Sequence, residues 1–123
     1  MVGLDDGASD YSNFDPTNFQ IPSTLDGYSV VKIEAAAFSS ESISSVTIPN
    51  TVTEIGESAF YHNNLTSVII PSNVTSIGSG AFWENPLERV TIIGYDTKTA
   101  EEQAALTGNN QFNYSGTYYS SVE

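Results

Sequence analysis

The chain has no cysteine, and among its 123 residues only Lys32, Arg89 and Lys98 carry a fixed positive charge, against 15 acids. The missing cysteine excludes disulfides, thiolate metal sites and a cysteine nucleophile, and it leaves the redox compartment open. The scarcity of cations makes nucleic acid a poor partner, because phosphate binding draws its affinity from lysine and arginine. An anionic membrane surface is disfavoured on the same ground. No apolar run approaches the ~20 residues of a spanning helix, so membrane insertion is not expected. The residues after Met1 (Val2, Gly3, Leu4, Asp5 and Asp6) do not read as a signal peptide. The single histidine, His62, leaves no imidazole pair for zinc, and neither a Gly-x-Ser-x-Gly elbow nor a Walker-type phosphate loop is present. The chain therefore reads as noncatalytic, with no cofactor, and its formal charge of −12 reads first as solubility.

What is there instead is a repeat. Phe38, Phe60 and Phe82 stand 22 residues apart, and Val30, Val52 and Val74, Ile33, Ile55 and Ile77, Ala37, Ala59 and Ala81, and Ile43, Leu65 and Leu87 keep the same step. A fixed period of this length marks stacked coils, each of which buries its apolar side only against its neighbours. The first full unit reads ISSVTIPNTVTEIGESAFYHNN from Ile43, the second LTSVIIPSNVTSIGSGAFWENP from Leu65, and a third begins at Leu87 as LERVTII. Val46 and Ile48, Val68 and Ile70, and Val90 and Ile92 alternate as in half-buried strands. Pro49 and Pro71 end them, having no N–H to donate to a ladder. Gly56 and Gly78 suggest turns of positive φ, although Glu34 holds the equivalent place in the preceding unit.

Both ends depart from the repeat. At residues 19–42 an earlier unit carries five extra residues, Thr24 to Tyr28, whose Asp26-Gly27 pair signals a turn and whose Tyr28 is placed to cover the end of the core. After Gly94 the run from Thr99 to Gly108 predicts a capping helix at about 99–107, with Thr99 and Glu102 at capping-box spacing. Phe112 and Tyr114 predict a closing strand at about 111–114. The expected organisation is a flexible acidic arm at 1–18, a repeat region at 19–93 with its cap loop at 24–28, a C-terminal cap at 94–117 and a tail at 118–123.

SVTIPNTVTEIGESAF and SVIIPSNVTSIGSGAF closely resemble the BspA-like bacterial leucine-rich repeat, whose units run strand, Ile-Pro, Val, Ile-Gly and Ala-Phe. IPSTLDGYSVVKI resembles that family's extended first unit, and IIGYDTKTAEEQAAL its C-terminal cap. The resemblance implies a mainly β, right-handed solenoid of about four short coils with parallel strands on a concave face and a short C-terminal helix. It further implies a noncatalytic protein-binding or adhesion module of a secreted or cell-surface bacterial protein, monomeric, with a host or neighbouring-cell surface protein as partner. Asn63 and Asn85 stand where the family often has cysteine, and either can bond the turn backbone instead.

Alternation along the strands points Ser45, Thr47, Ser67, Ile69, Arg89 and Thr91 outward as one candidate contact surface. Such a face amounts to roughly 200 Å², against ~800 Å² from each partner in a typical specific interface, so it calls for added loops, copies or domains. Tyr61 and Trp83, in line with Ser39, form a second candidate along the edge that follows each phenylalanine. The alternative is a structural spacer with no ligand of its own. A calcium-dependent domain is a third reading, resting on Asp5, Asp6, Asp10 and Asp15, which lack the ordered ligand spacing of a calcium loop.

Overall fold

The structure is a computed structural model that describes residues 14–121. It is mainly β, with parallel strands in its sheets and a single α-helix among the described residues. One group of strands comprises β1 (Phe19–Gln20), β5 (Val46–Thr47), β7 (Ser67–Ile70), β9 (Arg89–Ile92) and β10 (Tyr118–Tyr119). A second comprises β4 (Lys32–Ile33), β6 (Glu54–Ile55) and β8 (Ser76–Ile77). The short antiparallel hairpin β2 (Thr24–Leu25) and β3 (Tyr28–Ser29) interrupts the first unit, and α1 (Ala100–Thr107) follows β9.

The sequence period becomes strand register. Ile33 pairs with Ile55 and Ile55 with Ile77, while Val68 pairs with Val90 and Ile70 with Ile92. Phe19 pairs with Val46, a step of 27 residues, which is the 22-residue step plus the five inserted at the hairpin. In that hairpin Asp26 and Gly27 both take positive φ, 53° and 84°, as a two-residue turn requires. Tyr28, expected to cover the core, is instead 78% exposed, and Leu25 packs inward. Leu25 and Tyr28 are partners across the hairpin, and the contact with the core there is made by the shorter Leu25.

Between the strand groups lies the core, and its axis is a stack of phenylalanine rings. Phe38, Phe60 and Phe82 are fully buried, with centroids 5.5 and 5.2 Å apart and rings tilted 22° and 11°. The column runs further than the period predicts. Phe19 meets Phe38 edge-on at 4.9 Å, Phe14 meets Phe19 likewise at 4.9 Å, and Phe112 stacks on Phe82 at 4.9 Å and 6°. All six phenylalanines of the chain belong to it.

Two residues in each unit take a left-handed conformation: Ala36, Ser58 and Gly80 (φ 59°, 57° and 67°) and Ser40, His62 and Glu84 (φ 58°, 60° and 59°). For a residue with a Cβ this costs roughly 1–2 kcal/mol, and hydrogen bonds between neighbouring units offset it. The N–H groups of Ala36, Ser40, Ser58 and His62 donate to the carbonyls of Glu57, Tyr61, Ser79 and Trp83 in the next unit. Gly56 and Gly78 are not among the positive-φ positions. Their reason is space. A Cβ on Gly56 would lie 2.5 Å from the Ala35 nitrogen, and one on Gly78 2.4 Å from the Glu57 nitrogen.

The two asparagines bridge units. Buried Asn63 accepts from the N–H groups of Glu41 and Ile43 at 3.0 and 2.9 Å and donates to the carbonyls of Phe38 and Phe60, both at 2.9 Å. Asn85 repeats the pattern one unit on, accepting from Leu65 N–H at 3.0 Å and donating to Phe60 and Phe82 at 2.9 and 3.0 Å. Each replaces ladder bonds that a sharp turn cannot make by itself.

The ends differ from expectation in three respects. Residues 14–18, assigned to the arm, are part of the fold, with Ser44 N–H donating to Pro16 O at 2.8 Å. There the N–H and hydroxyl of Thr17 bond the Asp15 carboxylate at 3.0 and 2.7 Å and hold it below its usual 3.8. The acidic segment 1–13 lies outside the described residues. No strand forms at 111–114. Gln111 and Phe112 instead take the place of the Ala-Phe pair, since Phe82 N–H donates to Gln111 O as Phe60 N–H does to Ala81 O. The closing strand comes later, from residues assigned to the tail, as β10 pairs parallel with β9. The helix forms where the capping box places it, with Thr99 and Glu102 bonding one another's backbone N–H at 2.8 and 3.1 Å, and it lies against β8. Thus α1 and β10 each cover one exposed sheet edge.

Candidate binding face

Short parallel strands fix which side chains face out. In β7 the alternation is regular, with Val68 and Ile70 buried and Ser67 and Ile69 exposed. Ser45 and Thr47 are likewise exposed. Register then sets Ser67 beside Arg89, and Thr91 between Ile69 and Tyr119. The six residues expected on one face are brought together, with one exception. Thr91 is only 3% exposed, because β10 adds a strand beyond it and Ile69 and Tyr119 flank it in register.

Tyr119 is the member of this face that sequence reasoning misses, having been assigned to the tail. It is 39% exposed, and its ring carries the Arg89 guanidinium at 3.8 Å from the centroid, a cation–π contact. The signal available was the aromatic pair Tyr118-Tyr119 in an otherwise small and polar ending. Tyr118 itself points into a cluster with Phe112, Tyr114 and Tyr95, at centroid distances of 5.7, 5.3 and 6.0 Å. Burial there, with Tyr95 and Tyr114 nearby, pushes its hydroxyl above the usual 10.0.

The strand face is interrupted. β1 pairs with β5, and β7 with β9 and β10, but no ladder joins β5 to β7, although they lie side by side. At the break a cavity of about 300 Å³ opens, walled by Val46, Ile48, Ile69, Pro71 and Ile93, with Thr47 and Asn50 on its polar side. Val46 is therefore only half-buried, and Ile69 is 47% exposed at the rim. An apolar hollow with one hydroxyl and one amide at its side suits one large apolar side chain.

The second candidate divides. Tyr61 is 37% exposed with its ring 6.0 Å from that of His62, whose Nδ1 lies 3.2 Å from Ser40 Oγ. Trp83 is half-buried, packs over Gly80 and donates its indole N–H to Asn110 O in the cap. It serves as a tether between the repeat and its C-terminal cap. Among the described residues, no group of three or more His, Asp or Glu side chains is placed to hold a metal, and no helix is long and apolar enough to cross a membrane.

A chain of short parallel strands in fixed register, joined through repeated asparagine and phenylalanine positions, is a leucine-rich-repeat protein by construction. The model of the BspA type leucine rich repeat region (6 copies) matches residues 8–116, and the chain belongs to that family. Leucine-rich repeats generally mediate protein interactions, are typically noncatalytic and, in this type, are typically surface-associated. No curated protein and no solved structure matches the chain.

Proposed function

We propose that this domain is a noncatalytic protein-binding module of a secreted or cell-surface bacterial protein, built as a short right-handed solenoid of about four coils and binding through its concave strand face. The observation that carries this reading is the break between β5 and β7, which sets an apolar hollow beneath Ile69 on a face otherwise made of hydroxyl groups, Arg89 and Tyr119. Apolar and arginine side chains gathered on one exposed face are what interfaces select. The domain acts as a monomer towards its partner, because a charge of −12 on each copy opposes self-association. Ser45, Thr47, Ser67, Ile69 and Arg89 are the proposed contacts, joined by Tyr119. Tyr61 contributes at the adjoining edge.

The test is binding of the full chain to a panel of extracellular proteins, with Ile69→Ser, Arg89→Ala and Trp83→Ala compared with the unmodified protein. Ile69→Ser and Arg89→Ala are expected to weaken binding at unchanged melting temperature, whereas Trp83→Ala lowers the melting temperature by loosening the cap. Absence of binding by every form, monomeric or multimerised, would establish the spacer reading instead.

A further inference from the structure

The face just described is also distinctive in its charge. Its outward rows, Ser45, Ser67 and Arg89 and then Gln20, Thr47, Ile69 and Tyr119, contain no acid in a chain that has 15. Of the cations, Lys32 is paired with Glu54 at 3.4 Å, but Arg89 has no carboxylate within ion-pair distance among the described residues. Nor does its guanidinium hydrogen-bond to any described residue; it rests on the Tyr119 ring. A guanidinium held over an aromatic ring, its Cζ 3.8 Å from the centroid, is kept in place and retains N–H donors in a fork that matches a carboxylate. In a chain this acidic, a half-buried arginine left without an acid, on an acid-free surface, is a site complementary to an acid brought by a partner.

We infer that the partner segment is an extended peptide carrying a large apolar side chain for the hollow between β5 and β7 and a carboxylate for Arg89 seated on Tyr119. This rests on the protein-binding reading above and specifies the partner's chemistry. The spacing follows from strand geometry. Tyr119 lies level with Ile69 two strands away, and the hollow is walled by residues of β5 and β7 with Ile93, just after β9, at its other margin. Roughly two to two and a half strand spacings, about 10–12 Å, separate the two subsites, and in an extended peptide, whose side chains share a face every second residue, a separation of four residues is the one that meets both. A segment of the form Leu-x-x-x-Asp, in either direction, meets both.

The experiment measures binding of the full chain, by fluorescence anisotropy, to labelled twelve-residue peptides in which Leu and Asp are set one to five residues apart. Control peptides carry Asn for Asp, Lys for Asp or Ser for Leu. The expected result is tightest binding at a spacing of four. Asn for Asp should weaken it by about 10- to 100-fold, the range for a lost charge-assisted pair. Arg89→Gln should cause the same loss for the Asp peptide and leave the Asn peptide unchanged, and Arg89→Lys should fall between, having charge without the fork. Unchanged melting temperatures confirm that each variant is folded. If Leu peptides bind equally with Asp or Asn and Arg89→Gln has no effect, the carboxylate subsite is overturned while the protein-binding reading stands. If no peptide of any class binds, both are overturned for this face.

Discussion

At the residue scale, positions that look alike in sequence do different physical work. Gly78 and Gly80 sit two apart in one turn, yet Gly78 is required by the Glu57 backbone that a Cβ would strike, and Gly80 only by its φ of 67°. The unit before it carries Ser58 at a φ of 57°, so a side chain is tolerated there. Gly78→Ala is therefore expected to cost about 3 kcal/mol through forced backbone shifts, and Gly80→Ser only about 1–2 kcal/mol. Urea titration of the two variants measures the contrast, and equal losses would contradict it. Asn63→Ala removes an amide that satisfies four backbone groups across two units, and a loss of at least about 2–3 kcal/mol is expected in the same measurement. Phe60→Ala, in the middle of the ring column, should cost ~3–5 kcal/mol.

At the scale of elements, the C-terminal end is where the fold seals itself and where reading the sequence succeeds and fails side by side. The helix was legible because its stop and start signals are local: Thr99, Glu102 and Gly108 bond only their own turn. The closing strand was not, because two-residue strands have too little alternation to declare themselves, and Tyr118-Tyr119 becomes a strand only by pairing with β9. Burial of Thr91 follows from that same pairing and was invisible for the same reason. The strands of the repeat were legible through recurrence, which supplies the long-range information that a single short strand lacks. The break between β5 and β7 was not, since the two units are near-identical in sequence at these strands.

Tyr118 offers a test of the sealing strand. Its hydroxyl is held protonated in the fold beyond the usual 10.0, so the neutral form favours folding. The associated stability is present in full below pH about 10, the unfolded value, and is lost as pH rises through the higher folded value. Thermal melts should show no pH dependence from this group between pH 7 and 9 and a decline above 10. Tyr118→Phe should remove that part of the decline. An identical alkaline profile for the variant would contradict the packing described for β10.

At the scale of the whole molecule, the repeat separates scaffold from surface. Ring column, asparagine bridges and paired isoleucines are shared between units and turned inward. The strand face varies from unit to unit, as Ser45, Ser67 and Arg89 or Thr47, Ile69 and Thr91 show, and it avoids the acid that dominates the rest of the chain. Membership of a leucine-rich-repeat family and an acid-free, partly apolar face both support the proposed protein-binding surface. Because that surface is narrow, useful affinity will come from added loops, neighbouring domains or multiple copies.

The most direct test is nuclear magnetic resonance mapping on the isotopically labelled full chain, titrated with the tightest-binding peptide. Amide shifts are expected to be confined to β5, β7, β9 and β10, centred on Thr47, Ile69, Arg89 and Tyr119, with the β4, β6 and β8 side unaffected. Shifts centred on β4, β6 and β8, with the other face silent, would contradict the proposed binding face.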